Sequence, residues 1–495
     1  VSIHLCFMLS TVAFAGTHHV GTGQTHSNLS QAAAVAIPGD TILVHQGTYG
    51  GGTFISNLQG NASQWIYIHA VQGETVTYSG GSSAWQFSDG AYLHMKGFIF
   101  QQQTSNGVNM DDGGSYNTPS HHLVFDSCTF RDINATGNND LLKMSGVDDF
   151  EIRNCIFLNG STGAGDAIDM VGCHDGLIKN CRFENMGAAS IQAKGGCRNI
   201  RIEANFFKDA GSRSLNLGGS TGLAFFRPIN APYEAADLKV YSNIFIGSEA
   251  PIAYVGCINT EVVNNTIYVP TKWVIRILQE TVDTTRFLPC GNNTFRNNII
   301  YLDNQVTTQC NIGTDTDPQS FTFSNDLWFH SQNSSWAGPS LPVTDANRIV
   351  GQNPLFVNAS LENFDLQSGS PAIGNGFASV NPVQDYTRSN FHTPRSIGAF
   401  EGNTTTGIKA EDKLQNKINA YPNPFSESCI VDLSSIKKSA EENLNFHLYN
   451  LLGKEVASYM NISANKLTIH RKGLGSGVYI YKVMQNNQQA GTGKL

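Results

Sequence analysis

The feature that most limits the fold of this chain is a short phrase that recurs through its middle. Each copy places Asn or Cys between apolar residues, as in "IRNCIF", "IKNCRF", "VYSNIF" and "FRNNII". The central positions are 22 to 38 residues apart, and they are Cys128, Cys155, Cys181, Asn205, Asn243, Asn265 and Asn298. Repeats of this length with alternating strands and no helical periodicity predict a β-solenoid.

The recurring Asn and Cys residues are expected to stack inside the solenoid. Coils stack about 4.8 Å apart, so identical side chains form ladders in which each amide pairs with the next. Cysteine fills the same slot as a small buried hydrophobe, which predicts free thiols rather than disulfides. A second file of buried cysteines is predicted at Cys173, Cys197 and Cys257.

One strand in each coil carries the polar residues of interest. Aligning "LLKMSG", "AIDMVG", "SIQAKG", "SLNLGG", "PIAYVG" and "VIRILQ" with "GVNMDD" puts apolar residues at the second and fourth positions. These face inward, so the third and fifth positions face outward. The third column is Asn109, Lys143, Asp169, Gln192, Asn216, Ala253 and Arg276, and the fifth adds Asp111, Ser145 and Lys194.

This outward row is long enough for a polymer. Five coil steps separate Lys143 from Arg276, roughly 24 Å at the usual strand spacing. An insert at residues 220–237, with Phe225, Arg227 and Tyr233, and a second at 279–290 are expected to wall a groove. Arg227 suits a carboxylate or sulfate and Tyr233 a sugar face. Exposed polar residues are also the default on a sheet.

The chain resembles the right-handed parallel β-helix of the pectate-lyase-like superfamily. The opening "AAAVAIPGDTILVHQGTYGG" is similar to the first coil of that superfamily, and "NPLFVN", "SGSPAIGNG" and "RSIGAFEG" are similar to its last coil. The resemblance covers roughly residues 17–401. It implies an all-β fold, with a β-helix domain at residues 16–401.

The residues after 401 lack the repeated Asn or Cys phrase and have a different composition. Residues 402–417 are polar and read as a linker. The stretches "AYPNPFSESCIVDLSS", "LYNLLGKEVASY", "LGSGVYIYKV" and "GTGKL" then predict a small antiparallel sandwich. They resemble the C-terminal sorting domain of type IX secretion, placed at residues 418–495. The resemblance implies the type IX secretion machinery as a partner; a small carbohydrate-binding sandwich is the alternative.

The remaining composition fits an exported protein. Residues 1–15 are apolar and end in "AFA", which predicts a secretory signal peptide. No later segment has the 18 apolar residues of a membrane span. A net charge of −8 gives no basic surface for nucleic acid. A secreted or surface-attached monomer is expected.

The first functional hypothesis is a polysaccharide lyase acting on a uronate-containing glycan. Elimination needs a cation on the uronate carboxylate, a base for the ring proton and an acid for the leaving oxygen. Lys194 fits the base and Arg213 the neutralising cation, while Arg276 and Arg227 fit flanking acidic sugars. The pattern is similar to the chondroitinase B and alginate lyase group, which sets Lys on one coil and Arg on the next. In those lyases the Arg lies on the outer face of the strand, at the position where this chain has Asn216. In this chain Arg213 is expected at the turn before that strand.

Two other classes remain open. A β-helix glycoside hydrolase would use two carboxylates, Asp169 with Asp166 or Asp111. A surface protein that only binds glycan needs no catalytic group. No metal-binding residues are predicted; Ca²⁺ at Asp111, Asp140 or Asp169 is conceivable, but no loop has the spacing of a calcium site.

Overall fold

The structure is a computed structural model that describes residues 15–115, 117–133, 137–160, 163, 165–402, 416–434, 436, 444–450, 454–471, 473–485 and 488–495. These residues form two compact units, one up to residue 404 and one from residue 405. The predicted signal peptide, apart from Ala15, and most of the predicted linker lie outside the described residues.

The first unit is a parallel β-helix built from three long sheets, so the predicted fold class is confirmed. Successive coils contribute one strand to each sheet, and neighbouring strands are parallel. Sheet A contains Thr17–Val20, Thr41–Val44, Ile66–Ala70, Ala91–Lys96, Ser120–Asp126, Val147–Arg153, His174–Lys179, Cys197–Glu203, Ala235–Ala236, Lys239–Tyr241, Cys257–Ile258, Glu261–Val263, Thr294–Arg296, Thr322–Ser324 and Asp345–Ala346.

The other two sheets complete each coil. Sheet B contains Gly47–Gly50, Val76–Ser79, Phe98–Gln101, Thr129–Arg131, Ile156–Leu158, Arg182–Met186, Phe206–Ala210, Ile244–Ile246, Thr266–Tyr268, Ile299–Leu302, Leu327–His330 and Ile349–Val350. Sheet C contains Thr53–Ser56, Trp85–Ser88, Val108–Asp111, Leu142–Ser145, Ile168–Val171, Ala189–Lys194, Arg213–Gly218, Ala250–Val255, Ile275–Leu278 and Cys310–Ile312.

The predicted interior ladder is confirmed. Asn205, Asn243, Asn265 and Asn298 are fully buried, and each of the first three donates its backbone N–H and its Nδ2 to the next side-chain oxygen at 2.9–3.0 Å. Cys128, Cys155 and Cys181 hold the same slot in earlier coils. Every cysteine in the described part of the chain is a buried free thiol. The amides therefore satisfy one another where water is excluded.

Aromatic stacking supports the same coils on another side of the interior. Rings with centroids 4.7–4.9 Å apart run from coil to coil through Phe100, Phe130, Phe157, Phe183, Phe207 and Phe245. The predicted second file of cysteines is interrupted. Cys173 adjoins Cys197, but Ala235 occupies the coil between Cys197 and Cys257. The core is thus a set of parallel ladders rather than one central cluster.

Short elements close the two ends of the coiled region. The α-helix Leu29–Ala33 is capped by Asn28, whose Oδ1 accepts the backbone N–H of Gln31 at 3.0 Å. Near the other end, Phe356–Asn358 and Asn363–Leu366 form an antiparallel hairpin. The 3₁₀ turns are Leu223–Phe225, Pro318–Ser320 and Ala359–Leu361. The helices among the described residues are too short to cross a lipid bilayer.

The second unit is a small sandwich of two sheets around its own core, as predicted. One sheet contains Asn416–Lys417, Leu444–Asn450, Glu455–Ile462, Tyr479–Gln485 and Gln488–Lys494, and the other contains Asn419–Tyr421, Ser428–Asp432 and Lys466–His470. All described pairings are antiparallel except the one between Asn416–Lys417 and Gln488–Lys494. Side chains such as Val431, Phe446 and Val483 are fully buried between the sheets.

Candidate active site

The outward row of sheet C has the register that the sequence predicts. Lys143 pairs with Asp169, Asp169 with Gln192, Gln192 with Asn216, and the column continues through Ala253 to Arg276. The intervening second and fourth positions, such as Met144 and Ile191, are fully buried. Polar side chains from five of six successive coils are therefore aligned on one face of the β-helix, with Ala253 at the remaining position.

Asp169 lies at the centre of this row, between two lysines. Its side chain is fully buried, yet one oxygen is 2.8 Å from Nζ of Lys143 and the other is 3.0 Å from Nζ of Lys194. Lys194 also donates to Oε1 of Gln192 at 2.7 Å. A single carboxylate thus fixes the positions of two ammonium groups.

Two further buried carboxylates, Asp140 and Asp166, lie close to Lys143 and Asp169. Asp140 accepts a hydrogen bond from Lys143 at 2.8 Å and another from the backbone N–H of Asp166 at 2.8 Å. Asp166 accepts the backbone N–H of Ala189 at 2.9 Å. Burial, and then the charge of Asp169, raise the pKa of both Asp140 and Asp166 above the ordinary value. These two side chains act as hydrogen-bond partners of the backbone.

Lys143 is a permanent cation in this arrangement. Burial alone would lower its pKa, but the charges of Asp169 and Asp140 outweigh burial and hold the pKa above its usual range. Its role is therefore electrostatic. Lys194 has fewer acidic neighbours than Lys143, because Asp169 is the one carboxylate that it contacts among the described residues. Its side chain is 11% exposed.

Arg213 and Arg276 extend the row of cations. Arg213 donates to Oδ1 of Asn216 at 2.9 Å and to Glu280 at 2.8 Å. Arg276 donates to Asn311 at 3.0 Å and stacks on the ring of Trp273. Burial, followed by the positive charge of Arg213, lowers the pKa of Arg276.

The expectation that Arg213 precedes its strand is wrong. Arg213 is the first residue of Arg213–Gly218, and it pairs with Ala189 on one side and Ala250 on the other. The turn ends earlier because Gly211 takes the left-handed backbone conformation, where a Cβ would lie 2.6 Å from the carbonyl oxygen of Ala188. Arg213 therefore belongs to sheet C, where it begins the strand that carries Asn216.

A cleft of ≈ 560 Å³ opens over the lysines. Lys143, Asp169 and Lys194 line it, and Phe225, whose side chain is 70% exposed, forms part of its wall. The insert that carries Phe225 folds back against the strand ends, since the backbone N–H of Arg227 donates to the carbonyl of Gly195. The slightly exposed side chain of Lys194 therefore meets solvent through this cleft.

Glu234 holds this insert in place, a role that the sequence does not reveal. It is fully buried and accepts the backbone N–H groups of Gly195 at 2.8 Å and Thr221 at 2.9 Å. It also accepts the hydroxyls of Thr221 and Thr281, and Thr281 belongs to the second insert. One carboxylate thus joins both inserts to the turn that follows Lys194.

Arg227 and Tyr233 are not equivalent members of the site. Both terminal nitrogens of Arg227 bond Asp148, at 2.7 and 2.5 Å, and one also donates to the carbonyl of Gly172. Arg227 borders the cleft but is committed to this ion pair. Tyr233 lines a different cleft, beside sheet A, so the structure does not bring it together with Lys194. Gly172 and Gly196 leave room for Arg227, because a Cβ at either position would lie 2.6 Å or less from an atom of Arg227.

The aspartates of the hydrolase hypothesis are engaged in other contacts. Both oxygens of Asp169 are ion-paired, and Asp166 is 4% exposed. Asp111 accepts from Gln86, from Asn109 and from the backbone of Gly113. Within the described ranges no group of three or more His, Cys, Asp or Glu side chains is placed to hold a metal ion.

Comparisons with known proteins agree with both units. The family model of the secretion system C-terminal sorting domain matches residues 419–495. The sequence has no significant match among curated proteins. The chain is therefore exported by type IX secretion and is either released or attached to the cell surface, as its sorting domain indicates.

Solved structures resemble 68–79% of this chain at low sequence identity. The pectate lyase Pel9A is 15% identical, with a TM-score of 0.52 over 79% of this chain and 98% of its own. XylC in complex with xylose is 11% identical, with a TM-score of 0.47 over 78% and 98%. An alginate lyase from Paenibacillus sp. str. FPU-7 is 18% identical, with a TM-score of 0.38 over 68% and 99%. The likeness to Pel9A shows the pectate-lyase-like parallel β-helix fold.

Proposed function

We propose that the β-helix unit is a polysaccharide lyase that cleaves a uronate-containing glycan by β-elimination. The observation that carries the proposal is the row of cations over the outward face of sheet C: Lys143 and Lys194 around Asp169, then Arg213 and Arg276 farther along. A row of cations this long complements a chain of carboxylates better than a neutral glycan.

The residues present can supply the steps of an elimination. The base removes the ring proton beside the carboxylate, and the electron pair forms a carbon–carbon double bond. The bond to the leaving oxygen breaks as that oxygen takes a proton from the protonated base or from water. Lys194, which lines the cleft, is the proposed base. Asp169 positions it, and Gln192 orients its Nζ.

The flanking cations bind and neutralise the substrate. Arg213, held by Asn216 and Glu280, is the proposed partner of the reacting carboxylate, where it stabilises the charge that develops in the transition state. Lys143 and Arg276 are proposed for neighbouring acidic sugars. Asn216, which stands where similar lyases have Arg, then serves to orient Arg213. The exposed ring of Phe225 offers a face for sugar stacking.

The same contacts give less support to the glycoside hydrolase alternative. An acid–base pair needs two carboxyl groups that face the scissile bond across open space. Asp169 lies beneath two lysines, and Asp166 bonds the backbone of a neighbouring coil. Neither carboxyl group is free to protonate a leaving group without losing a buried ion pair or hydrogen bond.

A panel of polymers tests the proposal. The mature protein is incubated with alginate, pectins, glycosaminoglycans and neutral glycans, and ultraviolet absorbance and reducing ends are followed together. A lyase raises both signals on an acidic polymer, because each cleavage leaves an unsaturated uronide. A rise in reducing ends alone would replace the lyase with a hydrolase, and no rise in either would leave a glycan-binding protein.

A further inference from the structure

The outer face of sheet A carries a polar groove that is separate from the row on sheet C. Two clefts of ≈ 370 and ≈ 760 Å³ adjoin there, and Lys239 lines both. Lys239 begins the strand Lys239–Tyr241, where it pairs with Arg201 on one side and Glu261 on the other. Its side chain therefore lies at the middle of the combined groove.

The acidic groups of this groove are already engaged. Glu203 is paired with Arg201, and Asp237 with Arg198 at 2.8 Å. Glu261 accepts the hydroxyl of Tyr241, and Asp175 accepts the side-chain amide of Asn199. Asp385 is buried and accepts three backbone N–H groups, from residues 387, 389 and 401, at 2.8–2.9 Å. None of these carboxylates neutralises the cations at the centre of the groove.

Two cations of the groove lack such partners in the part of the chain that the structure describes. Lys239 makes no ion pair or side-chain hydrogen bond there. Arg388 lies across the smaller cleft, on a loop whose backbone Asp385 holds in place, and its guanidinium is also without a carboxylate. A fixed loop and a sheet thus present opposed positive groups to one groove.

We propose that this groove is a second binding site for an anionic polysaccharide, with Lys239 and Arg388 holding carboxylate or sulfate groups of the chain. Tyr233, which lines the larger cleft beside Arg198, supplies an aromatic face for a sugar ring. The choice of ligand rests on the proposed function, since a lyase that acts on a long acidic polymer benefits from a second point of attachment. The site itself performs no chemistry.

Electrophoretic retention in gels that contain alginate, polygalacturonate or chondroitin sulfate tests the site. Lys239→Glu and Arg388→Glu are expected to weaken retention by roughly tenfold in Kd, because one attractive charge becomes repulsive. Lys96→Glu is the matched control, since Lys96 is an exposed lysine on the same sheet outside the groove. Lys239→Ala, with its thermal unfolding measured, excludes misfolding as the cause.

The outcomes separate this site from the proposed function. Loss of retention in Lys239→Glu, with retention kept in Lys96→Glu, supports the groove whether or not any polymer in the panel is cleaved. Where short oligosaccharides are cleaved, Lys239→Glu should leave kcat/KM on them unchanged. Retention equal to that of the wild type, an equal loss in Lys96→Glu, or no retention of the wild type by any of the three polymers would overturn it. Polymer cleavage alongside any of those results would leave the lyase proposal standing.

Discussion

Asp169 is the residue on which the charge balance of the candidate site depends. It supplies one negative charge to two lysines, and no water-exposed group can replace it because it is fully buried. Gln192 cannot compensate, since it offers Lys194 a neutral oxygen. The position of Lys194 is thus set by a residue one coil away.

Asp169→Asn should therefore cost both stability and turnover. The amide keeps the shape of the side chain but leaves Lys194 without a carboxylate and Lys143 with Asp140 alone. The free energy of unfolding should therefore fall on the order of 3 kcal/mol. Denaturant unfolding measures this change, and kcat on the preferred polymer should fall with it. Asp315→Asn is the control, because Asp315 is exposed in a turn. Unchanged stability of Asp169→Asn would mean that the ion pairs do not form.

Arg276→Ala should act mainly on substrate binding. Arg276 lies two coil steps beyond Asn216, so it contacts the polymer away from the reacting sugar. Such a contact is equally strong in the ground state and the transition state, which raises KM and leaves kcat nearly unchanged. Steady-state kinetics on the long polymer measure both constants. A large fall in kcat with unchanged KM would place Arg276 at the reacting centre instead.

At the scale of elements, the asparagine ladder ends on a pair of buried aspartates. Asp326 Oδ1 accepts the backbone N–H of Asn298 at 2.7 Å and its Nδ2 at 3.0 Å, and Trp328 donates to Asp345 at 2.9 Å. Burial raises the pKa of Asp345 to about 6, and burial with the charge of Asp345 raises that of Asp326. The last coil thus favours protonated carboxyl groups.

This pair predicts a pH dependence of stability. The folded state holds the proton of Asp345 up to pH about 6, whereas the unfolded chain releases it near pH 3.8. The stabilisation is full below the lower value and is lost as the pH rises through about 4 to 6, by roughly 2 to 3 kcal/mol. Asp345→Asn should remove this loss, so the variant should unfold at higher denaturant than the wild type at pH 7. Identical pH profiles would refute the assignment.

The asparagine ladder should contribute measurably to the stability of the β-helix. The Asn243 side chain accepts the backbone N–H and the side-chain amide of Asn205 and donates to the carbonyl of Ile202. Asn243→Ala removes these hydrogen bonds and leaves the three groups buried without a partner. The free energy of unfolding should fall by at least about 3 kcal/mol, since each buried unsatisfied group costs about 1 to 3 kcal/mol. Asn304→Ala, at an exposed loop position, should be neutral. Equal stability of the two variants would contradict the ladder.

The sequence predicts these elements well because their contacts repeat. A strand pattern with period two fixes which face is buried, and the recurring Asn or Cys fixes the register, so the alignment of Lys143, Asp169 and Gln192 follows directly. The inserts do not repeat, and their contacts are made between distant residues. Neither the Arg227–Asp148 pair nor the buried Glu234 has a local signal, which is why Arg227 was expected to bind substrate in the groove.

At the scale of the whole molecule, each unit contains its own hydrophobic core. The core of the C-terminal sandwich includes Val431, Phe446 and Tyr481, and the β-helix core is built from its own coils. A chain that ends at residue 404 should therefore keep its cooperative unfolding and its activity, yet remain inside the cell. Cell fractionation and thermal unfolding measure the two properties. Loss of folding in the truncated protein would show that the sandwich is needed for the β-helix.

The central claim is that glycan cleavage at Lys194 is an elimination. The most direct measurement is mass spectrometry of the products formed in water labelled with heavy oxygen, with the wild type and Lys194→Ala compared. Elimination forms products without adding water, so the new ends should be unlabelled and unsaturated, and Lys194→Ala should form them about 10²–10⁴-fold more slowly. Products that carry one heavy oxygen per cleavage, formed by Lys194→Ala at the rate of the wild type, would contradict the account.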